Sequence, residues 1–277
     1  MHFAVFWIYP LIFSIYISFF SWDGLSPLDK TPFVGLGNYQ ELVSSTVFWT
    51  SVKNTIIYSI ANVPLTMIFA LVLAMMLNQA RIKGMRVFRI AAFAPRYTST
   101  VVLSLIWSFM YLYPWGLFNQ FLMMLGLEPI NFLFRQDTAL WSLLVMNLWM
   151  WMGWNSVISL AGLQDIPRDY YDSAEVDGAS AWQRFRHITL PMLKPTLLFQ
   201  LVTLTVASFQ IFGAVLMMTD GGPGNSTNVL VFLMYQYAFR WNKFGTGAAV
   251  AILLFAIIFA ITIVELRLFR KGGAFWY

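Results

Sequence analysis

The sequence predicts an all-α, polytopic integral membrane protein with six transmembrane helices. Hydrophobic residues make up 59% of its 277 residues and charged residues only 10%, whereas soluble domains carry about 25% charged residues. Several apolar runs reach the roughly 20 residues that a helix needs to cross a bilayer. Because lipid offers the backbone no hydrogen-bond partners, such runs are expected to cross as helices.

The predicted spans, in chain order, are 3–20, 55–77, 91–113, 138–160, 197–218 and 247–268. The first run has no basic segment before it and no small-residue cleavage site after it, so we expect a span and not a cleaved signal peptide. Pro64 predicts a kink in the second span. The partly apolar segment 114–137 is expected to lie along the membrane surface. We expect residues 1–277 to form one transmembrane domain.

Lysine and arginine are distributed unevenly between alternate loops, and the more basic loops of a membrane protein stay in the cytoplasm. The basic set contains Arg81, Lys83, Arg86, Arg89, Arg168, Arg184, Arg186, Lys194, Arg267, Arg270 and Lys271. The opposite set contains Lys30, Lys53, Arg135, Arg240 and Lys243. This bias predicts a multi-pass protein of the cell membrane with both termini and the long loop 164–195 in the cytoplasm. The same topology explains the net charge of +5, so we expect the lipid bilayer as a partner and no nucleic acid.

The long cytoplasmic loop is a polar island between two spans, and it predicts two short helices. Gly178 suits the position after a helix C-terminus, because glycine tolerates a positive φ. Ser180 and Gln183 match a capping box that begins a second helix. Pro191 and Pro195 are expected to end that helix before the fifth span. The helix–glycine–helix order predicts a compact elbow that fits a groove on a partner protein.

The residue order of this loop resembles a known docking motif. DSAEVDG begins at Asp172, and ITLP follows nine residues after Gly178. The order is similar to the EAA motif of ABC-importer permeases, which is Glu-Ala-Ala, three residues, Gly, nine residues and Ile-x-Leu-Pro, with Asp and Ser here in the first two places. FVGLGNY (33–39), KNT (53–55), TDGGP (219–223) and YAF (237–239) resemble the carbohydrate-uptake, maltose-permease-like branch of that family. The resemblance covers nearly the whole chain.

The resemblance implies a binding-protein-dependent importer that works by alternating access. This chain is then one of two different permease subunits, joined by two ATP-binding subunits inside and an extracytoplasmic solute-binding protein outside. The residues implied in coupling to an ATP-binding subunit are Asp172, Ser173, Ala174, Asp177, Gly178, Ala179, Phe185, Ile188, Leu190 and Pro191. The chain has no GxxxxGK[ST] phosphate loop. We therefore expect no catalytic activity and no cofactor in this subunit, with ATP and magnesium bound by the partner subunits.

Polar and aromatic residues in the fourth and fifth spans are candidates for a solute pathway. Sugar hydroxyls take hydrogen bonds, while the C–H faces of a sugar stack on aromatic rings. The candidates are Asn147, Trp149, Trp154, Ser208, Gln210 and Gly213, and the resemblance places all but Asn147 where maltose-type permeases contact sugar. Trp151 is expected to face lipid or a neighbouring helix. The alternative for all of them is an interfacial tryptophan or a small polar residue that packs helices.

Other functions remain open or are disfavoured. A sugar, oligosaccharide or polyol is the expected solute; glycerol-3-phosphate is the alternative, and it requires basic groups in the cavity, where the chain offers only Arg96. A secondary transporter is disfavoured, since it needs paired charges or a repeat within the spans, and Glu265 is the one carboxylate in a predicted span. We expect Glu265 to snorkel or to pair with nearby arginines.

The TDGGP segment fits a plain turn and a binding-protein contact equally well.

Overall fold

The computed structural model describes residues 2, 4–78 and 85–271. Within these ranges the regular secondary structure is helical, apart from an isolated antiparallel bridge between Phe20 and Phe33. Arg81 and Lys83, which belong to the predicted basic loops, lie outside these ranges. The all-α prediction is confirmed for the part of the chain that the structure describes.

The helices follow one another as a bundle with short surface helices between the long ones. In chain order they are α1 (Ala4–Ile17), α2 (Gly37–Ser44), α3 (Thr46–Asn78), α4 (Met85–Tyr97), α5 (Thr100–Met110), α6 (Leu117–Met124), α7 (Ala139–Gln164), α8 (Arg168–Val176), α9 (Ala181–Arg184), α10 (Leu190–Met192), α11 (Lys194–Phe209), α12 (Gly213–Met218), α13 (Leu230–Tyr235) and α14 (Phe244–Lys271).

Four segments in the described ranges are long and apolar enough to cross a membrane, namely Thr46–Asn78, Ala139–Gln164, Lys194–Met218 and Phe244–Phe269. They correspond to the second, fourth, fifth and sixth predicted spans. The first prediction falls on the shorter helix α1, and the third falls on α4 and α5 in series. The count of six crossings therefore stays a prediction.

The centre of the bundle is the long contact between α3 and α7. One face of α3 buries small polar residues at helical spacing, and these are Ser51, Thr55, Ser59, Asn62 and Thr66. Small residues at a helix interface let two backbones approach closely. Pro64 lies inside α3 without interrupting it, so the predicted kink does not divide this helix.

The third predicted span is not one continuous helix, and that part of the prediction is wrong. Pro95 lies near the end of α4, and the N–H of Thr98 closes a turn on the Pro95 carbonyl at 3.2 Å. Ser99 then takes an extended conformation with φ −57° and ψ 133°, which no helix can continue. The chain resumes as α5 at Thr100.

The fifth predicted span is interrupted as well. Gln210 ends α11 with φ −99° and ψ 17°, and Phe212 lies at φ −141° and ψ −58° before α12 begins. A Cβ on Gly213 would lie 3.2 Å from the Cγ2 of Thr100. The break in the fifth span therefore lies against the break in the third, and the missing side chain at Gly213 allows this approach.

Gly153 on α7 provides a test of the α4–α7 contact. A Cβ at this position would overlap the carbonyl oxygen of Ala92. Because backbone must move to relieve that overlap, Gly153→Ala should lower the free energy of unfolding by about 1–3 kcal/mol. Thermal unfolding of the purified protein in detergent measures the change. Ala161→Ser, at an exposed position of the same helix, should leave the midpoint unchanged, and equal midpoints for both variants would contradict this packing.

Candidate docking elbow and solute cavity

The long loop folds into the predicted helix–glycine–helix elbow. Helix α8 ends at Val176, and Gly178 follows with φ +77°. Ser180 Oγ accepts a hydrogen bond from the Gln183 N–H at 3.3 Å, and Gln183 Oε1 accepts one from the Ser180 N–H at 2.7 Å. The predicted capping box is confirmed, and it begins α9.

Contacts between the two arms fix the angle of the elbow. Arg184 pairs with Glu175 at 2.7 Å, and the hydroxyls of Tyr171 and Thr189 are hydrogen-bonded at 2.9 Å. An exposed ion pair contributes only about 0–1 kcal/mol to stability. The main effect of this pair is therefore to orient the two elbow helices relative to each other. Together the two contacts hold the arms in one orientation.

The prediction that Pro191 ends the second elbow helix is wrong. A wide π-type turn, Phe185–Thr189, continues α9 into α10, and Pro191 lies inside α10. A proline in a regular helix clashes with the carbonyl four residues earlier, and a π turn just before it relieves that clash by widening the ring. The helical path bends only at Leu193, and Pro195 lies in the first turn of α11.

The inner face of the elbow is anchored in the bundle. Leu163 at the end of α7, Ile166 just before α8 and Leu193 just after α10 pack with Leu73 and Leu77 at the end of α3. Tyr171 and Ile188 add to the same cluster. A force on the elbow is therefore transmitted to α3, α7 and α11 at once, because packed apolar contacts yield little.

The outer face of the elbow is open. Of the predicted coupling residues, Asp172, Ser173, Asp177 and Gly178 are exposed, whereas Ala174, Ala179, Phe185, Ile188, Leu190 and Pro191 are half-buried. Val176 is 89% exposed and Trp182 66% exposed, although such side chains are usually buried. The elbow thus presents acidic and apolar groups together on a surface that projects away from the bundle.

A second feature is a cavity of about 160 Å³ where the two broken spans meet. Four of the predicted pathway residues lie together in its wall: Asn147, Ser208, Gln210 and Gly213. Sequence reasoning missed Tyr58, Asn62 and Thr100, which also line it. The signal for Asn62 was an amide within an apolar run, where an unpaired polar group is costly.

The tryptophans of α7 are placed differently from the prediction. Trp149 and Trp154 are 39% and 42% exposed and are not among the residues that line this cavity. Trp149 instead packs on Trp107, with ring centres 5.6 Å apart. Trp151 was expected to face lipid or a neighbouring helix; it contacts Arg96 of α4, whose guanidinium lies 4.4 Å from the ring centre, and it also lines the cavity.

Asn62 joins two walls of the cavity. Its Nδ2 donates a hydrogen bond to the Oγ of Ser208 at 2.9 Å, which links α3 to α11 one residue before α11 ends. The Oδ1 of Asn62 is buried and has no hydrogen-bond partner among the described residues. The cavity wall therefore carries a buried acceptor whose hydrogen-bonding capacity is not used by that part of the chain.

Two sequence motifs from opposite parts of the chain meet at the TDGGP turn. Asn54 Nδ2 donates to the carbonyl oxygens of Asn225 and Asn228 at 2.8 and 3.0 Å. The hydroxyls of Thr219 and Thr227 are hydrogen-bonded at 2.8 Å. These polar groups are therefore hydrogen-bonded within the chain and stabilise the turn, which favours the plain-turn interpretation. A contact with a binding protein stays a prediction.

The turn also carries an ion pair with a following segment. Asp220 accepts a hydrogen bond from Arg240 at 2.9 Å, and this hydrogen bond, together with the negative charge of Asp220, raises the pKa of the guanidinium above its ordinary value. The guanidinium carbon also lies 5.4 Å from the centre of the Phe232 ring and 5.5 Å from that of Tyr235. Arg240 thereby fixes the turn to the helix that follows it.

The FVGLGNY segment has a similar structural role. Asn38 Nδ2 donates to the carbonyl oxygens of Ser18 and Phe20 at 2.8 and 2.9 Å, and its Oδ1 accepts from Thr246 Oγ1 at 3.0 Å. One buried amide therefore ties the end of α1 to the beginning of α14.

Glu265 was expected to snorkel or to pair with nearby arginines, and an arginine pair is not found among the described residues. One of its carboxylate oxygens accepts a hydrogen bond from Thr205 Oγ1 at 2.7 Å, and the other is buried with no partner in the described part of the chain. The bond joins α14 to α11.

A helical bundle with an exposed elbow and a cavity between two broken spans fits the permease subunit of an ABC importer, and the comparison with known families shows this class. A family model described as "Binding-protein-dependent transport system inner membrane component" matches residues 3–271. The chain belongs to this family.

Several proteins with similar sequences are named as sugar transport permeases. The trehalose/maltose transport system permease protein MalF of Thermococcus litoralis is 36% identical over 266 residues, 96% of this chain and 89% of that protein. The lactose transport system permease protein LacF of Rhizobium radiobacter is 33% identical over 273 residues, 97% of this chain and 90% of that protein.

The fold is also found in a solved structure. A bacterial ABC transporter involved in the import of the acidic polysaccharide alginate contains a chain with a TM-score of 0.84 and 24% identity, with 97% of this chain and 91% of that chain covered. At this identity the likeness shows the fold and does not define the solute.

Cysteine labelling tests the cavity, and the sequence has no cysteine to interfere. Asn147→Cys and Gln210→Cys lie at the cavity wall, whereas Trp149→Cys lies outside it. Because only an ionised thiol reacts and ionisation requires water, a charged thiol reagent should label the first two roughly tenfold faster than the third. Equal rates at all three positions would contradict the assignment of the cavity.

Proposed function

We propose that this chain forms half of the translocation pathway of an ATP-driven, binding-protein-dependent sugar importer. The observation that supports this most is the physical continuity of elbow, α11 and cavity. The elbow is packed against the first turn of α11, and the other end of α11 contributes Ser208 and Gln210 to the cavity wall. One rigid element therefore connects a docking surface to a solute site.

The proposed topology has six crossings, with the elbow and both termini in the cytoplasm of a multi-pass cell-membrane protein. Helices α1 and α4–α5 serve as the first and third crossings, and the four longer segments supply the others. The excess of lysine and arginine in alternate loops supports this orientation. Residues 1–277 act as a single transmembrane domain in this arrangement.

The proposed partners follow from the exposed elbow and from the description of the family. The exposed elbow docks on one of two ATP-binding subunits, which bind ATP and magnesium, and a second permease subunit completes the pathway. A solute-binding protein delivers the solute from outside, as the family description "Binding-protein-dependent" indicates. This subunit has no phosphate loop of its own, so the driving reaction belongs to its partners.

The mechanism is alternating access driven through the elbow. When the ATP-binding subunits close, they move the docked elbow, and the inner cluster transmits the movement to α11. Helix α11 has 16 residues, which corresponds to about 24 Å of rigid helix. The irregular residues between α11 and α12 are where backbone angles can change, so movement of α11 reshapes the cavity wall.

The proposed solute is a neutral sugar, oligosaccharide or polyol. The residues that line the described cavity are polar, aromatic or aliphatic, and none of them is charged. The relatives named above carry trehalose, maltose and lactose in their names. Glycerol-3-phosphate needs a cationic site, and Arg96 contacts Trp151 without lining the cavity itself.

Secondary transport is disfavoured, because Glu265 accepts a hydrogen bond from Thr205 and pairs with no ionised group among the described residues.

Reconstitution in liposomes tests the function. The chain is co-expressed with its partner permease, ATP-binding subunits and binding protein, and uptake is measured with trehalose, maltose, lactose and glycerol-3-phosphate. ATP-dependent uptake of at least one of the three sugars is expected, with no uptake when ATP is omitted. Uptake that persists without ATP, or that is confined to glycerol-3-phosphate, would overturn the proposal.

Gly178→Asp tests the docking elbow. Nothing lies within 4 Å of a Cβ at this position, so an added carboxylate projects outward and obstructs docking. We expect normal membrane insertion, with uptake and sugar-stimulated ATP hydrolysis reduced by roughly tenfold or more, which corresponds to about 1.4 kcal/mol of lost interaction.

Gly126→Asp is the matched control for this experiment. Gly126 has a similar backbone, with φ +75°, and also has open space around a Cβ, but it follows α6 on the other side of the predicted membrane. Its backbone cost should equal that of Gly178→Asp, while uptake should be retained. Equal loss of uptake in both variants would point to backbone strain and not to docking.

A further inference from the structure

Asn62 has an unusual position in the bundle. It lies at the midpoint of α3 and is only 4% exposed, and it lines the cavity between the two broken spans. Its Nδ2 is used in the 2.9 Å hydrogen bond to Ser208. Its orientation is therefore fixed by a residue of a different helix.

The opposite end of the same amide is unused. Oδ1 is buried and has no hydrogen-bond partner in the described part of the chain. Buried carbonyl oxygens in proteins are nearly always paired, because leaving one unpaired costs free energy. An unpaired acceptor fixed in the wall of a solute cavity indicates that its partner arrives with the solute.

We infer that Asn62 recognises one particular hydroxyl of a neutral solute by accepting a hydrogen bond from it. The inference rests on the proposed function and adds a residue that selects for one chemistry. A sugar hydroxyl can donate a proton to Oδ1. A phosphate or carboxylate group presents only acceptors there, so the two oxygens repel each other.

The small volume of the cavity agrees with the burial of Asn62 Oδ1 in this structure. The cavity measures about 160 Å³, whereas pockets that hold small molecules are usually about 300–1,000 Å³. The cavity must widen to admit a sugar, and its wall includes the irregular residues between α11 and α12. Movement of Ser208 with α11 uncovers the Asn62 amide, and the solute then pairs with the exposed oxygen.

Two neighbours on α3 show that an unpaired polar atom alone does not make such a site. Ser59 Oγ and Thr66 Oγ1 are also buried without partners, one turn to either side of Asn62. Neither residue lines the cavity. Thr66 is therefore a matched control that shares helix face, burial and unpaired oxygen, but not access to the solute.

The test compares sugars that differ by one hydroxyl in the reconstituted complex. Uptake of maltose, trehalose and lactose and of their monodeoxy analogues is measured for the wild type, Asn62→Leu and Thr66→Val. In the wild type, removing one particular hydroxyl should raise KM by roughly tenfold. In Asn62→Leu that penalty should shrink to about twofold or less, while Thr66→Val keeps it in full. The binding protein is the same in all three, so its own preference cancels in the comparison.

Asn62→Ala is the second variant if Asn62→Leu fails to assemble, and the same loss of hydroxyl discrimination is expected. Sugar uptake with an unchanged order of deoxy analogues in the Asn62 variants would overturn this inference and leave the proposed function intact. Uptake of glycerol-3-phosphate without any of the sugars would overturn both.

Discussion

The constraint on which the structure depends is that a polypeptide in lipid must satisfy its own backbone. Helices meet this requirement everywhere except at their ends and breaks. This chain has two interrupted spans, and it places the interruptions against each other, with Gly213 next to Thr100. Freed backbone groups and polar side chains then share one interior space. The cavity follows from the way in which the breaks are shielded from lipid.

The same constraint supports the proposal that the elbow transmits movement. Between the elbow and the cavity, α11 is a continuous helix of 16 residues, and the hydrogen bonds along its backbone favour movement as one body. Ile166, Tyr171 and Ile188 of the elbow share an apolar cluster with Leu193 and Leu197 at the start of α11, and such packing resists small displacements. At its other end, α11 is followed by the non-helical backbone of Gln210 and Phe212. In the proposed mechanism, a displacement at the elbow therefore reaches the cavity through α11.

Much of the fold could be predicted from the sequence, because many of its features depend only on residues that are close together in the chain. Long apolar runs predict spans by length, and the elbow is specified by Gly178 and by the capping pair Ser180 and Gln183, whose effects act within a few residues. The two helix breaks could not be predicted, because hydropathy averages over a whole span and Gly213 has meaning only beside Thr100. The prediction for Pro191 was wrong because it assumed a regular helix. The π turn before Pro191 removes the clash that would end such a helix. Asn62 was visible as a polar residue, but its pairing with Ser208 is a contact between distant helices.

Solute selection in such a fold must reside in a few wall residues. The backbone arrangement is shared with a transporter involved in the import of an acidic polysaccharide, so the bundle itself does not decide the charge of the cargo. Charge selection then depends on which groups reach the cavity surface. Here Arg96 lies against Trp151 and is not among the lining residues, whereas the wall offers the amide of Asn62. Because a fixed amide oxygen can accept a hydrogen bond but not donate one, it favours a hydroxyl over an anionic oxygen at the same position.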